Sequence, residues 1–216
     1  YIFNSKDLCM IEHIPDLIDA GIDSLKIEGR MKSPEYVAVT VNAYRGKIDA
    51  YYKKDINYNE TESERELSQI FNRDFTTAYL TGHLGKTMIS DRKPNNRGML
   101  VGRVQKYDKK SFIADIKLSE ELNIGDKIDF WVKVGGRVNM DVTSMKVNGQ
   151  EVETAYSGDI ASIKLPGHVQ EHDRVFKILD AKLSEKAKAF FNSSDPIRRI
   201  PLNIKMQADI GKPVKV

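Results

Sequence analysis

The stretch SLKIEGRMKSPEYVAVTVNAYR, residues 24–45, joins a short apolar run to a helix signal. The apolar run at residues 22–27, interrupted only by polar positions, predicts a buried parallel strand. The tripeptide Ser-Pro-Glu at residues 33–35 provides an N-cap, a proline for the first helical position and an acid for the first turn. The order strand, turn, helix therefore predicts a βα unit of an α/β fold.

The surroundings of this unit predict that the rest of its sheet lies upstream. Residues 10–18 have helical spacing and Gly21 supplies a stop. A parallel strand needs parallel neighbours, and Tyr1–Asn4 is the one further candidate. The chain opens on Tyr1 without an initiator Met, and residues 205–216 alternate like the start of a strand pair. We expect a piece of a longer protein.

From Gly98 onward the hydrophobic period changes to two. Short alternating runs separated by turn signals predict a small antiparallel barrel or sandwich over residues 98–180. The predicted strands are residues 99–108, 111–118, 127–134, 138–147 and 159–165. Around them we expect a linker and helical connection at 54–97, with a polar linker at 54–66, a helix and linker at 181–198, and the start of a further domain at 199–216.

Composition excludes several classes of protein. The chain has 216 residues and a formal net charge of +3, which leaves no polybasic footprint from which nucleic-acid binding can be argued. No apolar run approaches the roughly 18 residues of a transmembrane helix. One cysteine rules out an intrachain disulfide and fits a reducing, cytoplasmic setting.

The best candidate site from the residues alone is the segment Lys26 to Lys32. Gly29 lets the backbone turn at the end of the predicted strand, which in a β/α barrel is the catalytic rim. Arg30 and Lys32 then lie beside the N-terminus of the following helix, and these positive groups favour an anionic ligand near Glu28. The alternative is a surface Arg/Lys pair near a glutamate.

The cysteine and histidines offer weaker candidates. Cys9 is most simply a small core residue, although His13 follows at a spacing that permits a Cys–His pair on a helix. His168 and His172 flank an acid in a loop, but no third ligand supports zinc there. We expect no metal site formed by this chain alone.

Two long runs resemble the collagenase-like peptidase family U-32. NSKDLCMIEHIPDLIDAGIDSLKIEGRMKSPEYVAVTVNAYR is similar to the end of the catalytic domain of that family, and FNRDFTTAYLTG with NNRGMLVGRV is similar to its next segment. The resemblance implies that residues 1–53 are the last βα elements of a β/α (TIM-like) barrel. It also implies that the antiparallel unit resembles domain 2 of elongation factor Tu, and that the chain ends like the longer members of the family.

The resemblance implies two competing chemistries. The family is named for collagenase activity, yet better-understood relatives resemble iron–sulfur proteins that hydroxylate tRNA, ribosomal RNA or a quinone precursor, with prephenate as oxygen source. In those relatives four cysteines hold the cluster, and the last is similar to Cys9. The family motif matches Glu28, Arg30 and Lys32, which we expect to act in catalysis (Glu28 and Arg30) and in binding substrate or prephenate (Arg30 and Lys32).

Partners follow from the same comparison. We expect the upstream barrel domain, tRNA or rRNA, and a homodimer through exposed barrel elements as partners, with no membrane. A third function is a non-catalytic binding module for RNA or for a neighbouring domain, the one activity expected of this piece by itself. Its basic set is Arg103, Lys106, Lys109, Lys110, Lys117 and Lys133.

Overall fold

The computed structural model describes residues 4–82, 85–90, 96–132, 137–192 and 201–215. Several predicted features lie outside these ranges, namely residues 1–3 of the possible first strand, Lys133, most of the linker after the last helix, and the point near residue 199 where a further domain was expected to begin.

The N-terminal part is a layer of helices, α1 (Ile14–Asp19), α2 (Pro34–Lys53) and α3 (Glu60–Ile70). The predicted cap of α2 is confirmed, because the Tyr36 N–H donates to Ser33 Oγ over 3.3 Å and Pro34 is the first helical residue. The predicted linker at 54–66 is wrong in its second half, where Asn59 caps α3 by accepting the N–H of Glu62. The polar composition of the segment indicated a linker, and the capping role of Asn59 was therefore not recognised.

The predicted strand at residues 22–27 is wrong for this structure. The segment belongs to no described strand and is exposed apart from Ile27, which is half-buried. Strand geometry persists only where a neighbour takes up the backbone hydrogen bonds, and no described segment pairs with residues 22–27. The rest of a β/α barrel is not seen in this chain and stays a prediction.

A small parallel pair lies elsewhere. β1 (Asp7–Leu8) pairs in parallel with β2 (Phe75–Thr76), so that Asp7 lies opposite Phe75. The two runs that carry the family resemblance therefore meet in space.

The C-terminal half is a curled antiparallel sheet, and its antiparallel character is confirmed. Its strands are β3 (Met99–Asp108), β4 (Ile113–Leu118), β5 (Leu122–Asn123), β6 (Lys127–Trp131), β7 (Arg137–Asp141), β8 (Lys146–Val147), β9 (Gln150–Glu151), β10 (Thr154–Ala155), β11 (Ile160–Lys164) and β12 (Arg174–Leu179). Eight of them form one sheet in the order β7-β6-β12-β3-β4-β11-β8-β9, and β5 pairs with β10. Inward residues such as Val101, Ile116, Phe130 and Val175 are fully buried in one core.

Two details of this sheet differ from the prediction. The single strand predicted at 138–147 is divided into β7 and β8, with residues 142–145 between them. β12 was not predicted as a strand, although it lies between β3 and β6 near the middle of the sheet. Its alternation is obscured because Val175, Phe176 and Lys177 are all buried.

The helix α4 (Ala181–Lys188) joins the two halves. Asp180 caps it by accepting the N–H of Leu183, and Leu183 and Ala187 pack against Val39 of α2. Gln69 of α3 donates from Nε2 to the carbonyl of Lys177 over 3.0 Å. The helical layer is thus fastened to β12.

A buried ion cluster lies at the same junction. Lys177 is 1% exposed, and its Nζ lies 2.6 Å from Asp180 Oδ2, 3.2 Å from Asp126 Oδ2 and 3.1 Å from the Glu121 carbonyl that it donates to. Asp126 is fully buried and also accepts two backbone N–H groups. Burial raises the pKa of Asp126, and the Lys177 charge opposes that rise. The cluster connects β12 to the start of α4.

Gly98 makes the entry to β3 sensitive to substitution. Its φ is +66°, and a Cβ there would lie 2.1 Å from the carbonyl oxygen of Lys177. We expect Gly98→Ala to cost about 3 kcal/mol or more of unfolding free energy, because left-handed strain and overpacking add. Gly149→Ala is the matched control, since φ is +81° with no atom within 4 Å, and we expect it to cost about 1 kcal/mol. Equal losses in denaturant unfolding would contradict the close approach at Gly98.

Candidate functional site

Cys9 lies directly after β1 and is half-buried. Its N–H donates to the Thr76 carbonyl over 3.0 Å, which extends the contact between β1 and β2. The side chain packs against an apolar cluster formed by Ile11, Ile14, Ala43 and Leu67. The thiol is therefore held at the meeting point of the two family segments.

The surroundings of Cys9 act on its thiol pKa in two directions. Burial raises the pKa of the Cys9 thiol, while hydrogen bonds from the Ile11 N–H and the Tyr44 hydroxyl act in the opposite direction by favouring the thiolate. Tyr44 is oriented by the Met10 N–H, which donates to its hydroxyl oxygen over 2.8 Å. Burial also raises the pKa of Tyr44, so this hydroxyl keeps its proton and remains a donor.

The Cys9–His13 pair considered from the sequence is not formed. Cys9 precedes α1 and residues 10–13 form turns, so helical spacing does not apply to them. His13 Nδ1 instead lies 3.0 Å from Asp16 Oδ2. His13 therefore pairs with Asp16 and not with the Cys9 thiol.

The neighbourhood of Cys9 is fixed by a bidentate ion pair. The Arg73 side chain donates from Nη2 and Nε to Asp7 Oδ1 over 2.6 and 3.0 Å. The backbone N–H of Arg73 donates to Asp7 Oδ2 over 2.9 Å. Next to it, Arg97 forms an ion pair with Asp74, whose second oxygen accepts a hydrogen bond from Ser90 Oγ. These contacts hold the segment around residue 73 against the strand that leads to Cys9.

Lys32 reaches into the same neighbourhood. Its Nζ lies 2.8 Å from the centroid of the Phe71 ring and 5.3 Å from that of Tyr36. Burial lowers the pKa of Lys32, the Asp7 carboxylate opposes this, and the Arg73 charge adds to it. Lys32 also lines a cavity of about 350 Å³. Other residues that line it are Tyr36, Gln69, Phe71, Asn96 and Leu183.

Glu28 and Arg30 are placed differently from Lys32. Both are exposed, and neither lines that cavity. Glu28 Oε1 accepts the N–H of Arg30 over 3.0 Å, and Glu28 Oε2 lies 4.0 Å from Lys26 Nζ. The catalytic and binding roles predicted for Glu28 and Arg30 remain predictions, and of the three motif residues Lys32 alone lies at the cavity.

Sequence reasoning missed the aromatic residues and Arg73. Tyr36 and Tyr44 are two helical turns apart on α2, and their spacing indicated only a buried helix face. Phe71 and Arg73 were noted only as part of an aromatic-rich run. The missing information was the parallel pairing of β1 with β2. This pairing brings Arg73 into contact with Asp7, which is 66 positions earlier in the chain.

The remaining histidines behave as loop residues where the structure describes them. His168 Nδ1 lies 2.9 Å from the Tyr107 hydroxyl, and its ring stacks on Phe112 at 4.9 Å. Within the described ranges no group of three or more His, Cys, Asp or Glu side chains is arranged to hold a metal ion. His83 lies outside those ranges.

The structure contains no candidate membrane segment in its described part. Among those residues, no helix has both the length and the apolar content that a bilayer crossing requires.

Comparison with known proteins places these features in a family. Residues 1–90 match the family described as Peptidase family U32. The chain is 38% identical over 186 residues to a protein of Methanocaldococcus jannaschii named an uncharacterized protease, covering 82% of this chain and 44% of that protein. It is 38% identical over 134 residues to the tRNA hydroxylation protein P1 of Bacillus subtilis, covering 61% of this chain and 32% of that protein. A collagenase of Porphyromonas gingivalis is 32% identical over 183 residues, covering 82% of this chain and 44% of that protein.

The chain thus spans less than half the length of these three relatives. A solved C-terminal domain of a U32 family protein from Geobacillus thermoleovorans superposes with a TM-score of 0.35 at 18% identity, covering 37% of this chain and 91% of that domain. The match over residues 1–90, together with the named relatives, identifies this chain as part of a peptidase family U32 protein.

Proposed function

We propose that the protein to which this chain belongs hydroxylates tRNA, and that Cys9 is one thiolate ligand of an iron–sulfur cluster in it. Support comes from the relative named tRNA hydroxylation protein P1, which is 38% identical over 134 residues. The observation that carries the proposal is the position of Cys9, which is half-buried directly after β1, where the two family segments meet.

That setting suits a cluster ligand better than it suits a nucleophile. Hydrogen bonds to thiolate sulfur are among the means by which proteins set the potential of iron–sulfur clusters. A cluster takes about four cysteine thiolates, and this chain has one cysteine. Cys9 therefore fits as a single ligand, and the other ligands would come from sequence outside this chain. When bound, such a cluster supplies one-electron chemistry.

Lys32 is the chain's best candidate for binding an anionic co-substrate such as prephenate. Lys32 lines a cavity of about 350 Å³, and its ammonium group lies over the aromatic rings of Phe71 and Tyr36. A cation in partly desolvated surroundings attracts a carboxylate more strongly than one in water. Glu28 and Arg30 lie outside this cavity, so any role they have would involve a different part of the substrate.

A peptidase is the second candidate, favoured by the relatives named collagenase and protease. A thiol nucleophile needs an adjacent base, and His13 Nδ1 lies 3.0 Å from Asp16 Oδ2 and is engaged there. Peptide hydrolysis would therefore depend on residues other than this pair.

The test uses the full-length protein in a host strain that lacks tRNA hydroxylation. Nucleosides from total tRNA are separated and identified by mass spectrometry. We expect the unchanged protein to restore hydroxylated nucleosides, and Lys32→Gln to reduce them about tenfold or more because one ionic contact is lost. The exposed control Lys53→Gln should leave them unchanged. Absence of hydroxylated nucleosides, with gelatin hydrolysis by protein free of host proteases, would select the peptidase.

A further inference from the structure

Three cations lie directly opposite one another on neighbouring strands of the sheet. Arg174 on β12 is paired with Arg103 on β3, and Arg103 is paired with Lys117 on β4. Directly paired residues project from the same face of a sheet. Arg103 and Lys117 are exposed and Arg174 is half-buried. We call these three residues the cationic row.

Among the described residues, no acid forms an ion pair with the cationic row. No described carboxylate lies within 4.0 Å of any of the three cationic groups. Arg103 Nη1 donates to the His172 carbonyl over 3.4 Å, and Lys117 Nζ donates to the Gly158 carbonyl. Neutral acceptors therefore orient these charges but do not cancel them.

Arg174 is oriented by aromatic rings. Its guanidinium carbon lies 5.0 Å from the Trp131 ring centroid and 5.8 Å from that of Phe176, and those two rings pack on each other at 4.4 Å. Trp131 is also the register partner of Arg174 on β6. The half-buried Trp131 ring therefore lies at one end of the row, beside the buried Phe176 ring.

The adjacent row of the same sheet has a different composition. Lys106 is paired with Asp115, and Asp115 is paired with Ser162, whose hydroxyl donates to it over 2.6 Å. In that row the positive charge of Lys106 lies opposite the negative charge of Asp115. In the cationic row, by contrast, three positive charges lie side by side. Like charges placed directly opposite each other weaken a sheet, so the arrangement has a cost that an anionic ligand would remove.

We propose that the cationic row binds the phosphate backbone of RNA. Strands lie about 4.8 Å apart, so three cations across three strands extend over about 10 Å, which fits successive phosphates better than a single phosphate. Aromatic side chains beside a cationic track are the pattern by which proteins hold RNA without reading its sequence. The choice of RNA over another polyanion rests on the proposed function.

The experiment measures binding of fluorescently labelled tRNA to the full-length protein by anisotropy between 50 and 200 mM salt. The variant Arg103→Gln/Lys117→Gln/Arg174→Gln is expected to bind at least tenfold more weakly at low salt. Its slope of log affinity against log salt should be smaller by about 2–3, as for the loss of three phosphate contacts. An unchanged slope would overturn the proposal.

A second triple variant separates local binding from net charge. Lys53→Gln/Lys54→Gln/Lys86→Gln removes the same charge from exposed positions in the N-terminal half. We expect its affinity to stay within about twofold of the unchanged protein, because screening limits distant charges. Equal losses in both variants, or displacement of tRNA by poly-aspartate at equal charge, would also overturn the proposal. Thermal unfolding of each variant checks the fold.

The two proposals fail separately. A protein whose tRNA binding depends on the cationic row but which forms no hydroxylated nucleoside would contradict hydroxylation alone. A row variant that binds and hydroxylates tRNA normally would contradict the binding surface alone.

Discussion

Replacing Lys177 by Met is expected to lower the free energy of unfolding by about 3–5 kcal/mol, the usual cost of leaving a buried charge without its partner. Met keeps the length of the side chain, so little cavity is created. The change leaves Asp126, which is fully buried, without the ammonium group 3.2 Å away, and removes the contact of 2.6 Å to the cap of α4. Denaturant unfolding followed by circular dichroism measures the loss.

Lys182→Met is the matched control. Lys182 pairs with Glu121 at 2.7 Å but is 63% exposed, so we expect it to cost less than about 1 kcal/mol. Adding Asp126→Asn to Lys177→Met removes the unpaired charge and should recover part of the loss, which a double-mutant cycle would detect. If Lys177→Met costs no more than Lys182→Met, the buried cluster does not stabilise the fold.

Local sequence signals were sufficient wherever a structure depends on neighbours in the chain. The cap at Ser33, the proline that follows it and the alternation from Met99 onward depend on residues a few positions apart. For this reason the starts of α2 and α4 and the strands β3, β4, β6 and β11 were predicted close to their bounds.

The features that the sequence did not predict correctly depend on contacts between residues far apart in the chain. Residues 22–27 have the composition of a strand, but a strand also needs a neighbour, and none is described in this chain. β12 contains Lys177, and a lysine in a sequence predicts an exposed position. Lys177 is buried because it pairs with Asp126 and Asp180, which lie elsewhere in the sequence or in the next element.

Some residues of the candidate site could be identified from the sequence, and others could not because they depend on long-range packing. Cys9 was identified through the family resemblance, since a lone cysteine gives no chemical signal by itself. Its donor Tyr44 depends on the packing of α2 and could not be inferred. Lys32 meets Phe71 because the start of α2 packs against the end of α3, so its separation from Glu28 and Arg30 was not predictable from adjacent positions.

Cys9→Ser is expected to remove nearly all iron from the full-length protein. Serine has almost the same shape, so the packing against Ile14 and Leu67 should persist. Its hydroxyl is a far poorer ligand for an iron–sulfur cluster than a thiolate. Loss of iron would therefore report a ligand and not a damaged fold.

Tyr44→Phe is the matched control. It keeps the sulfur and removes one hydrogen-bond donor beside it. We expect iron to be retained, with a reduction potential shifted because hydrogen bonds to the sulfur tune the cluster. Equal iron loss in both variants would indicate general damage to the packing between α1 and α2.

Iron and acid-labile sulfide per chain, measured in full-length protein purified without oxygen, test the assignment of Cys9 most directly. We predict a full complement in the unchanged protein and in Tyr44→Phe, and near-complete loss in Cys9→Ser with an unchanged circular dichroism spectrum. Iron and sulfide that remain at the original level in Cys9→Ser would contradict the assignment.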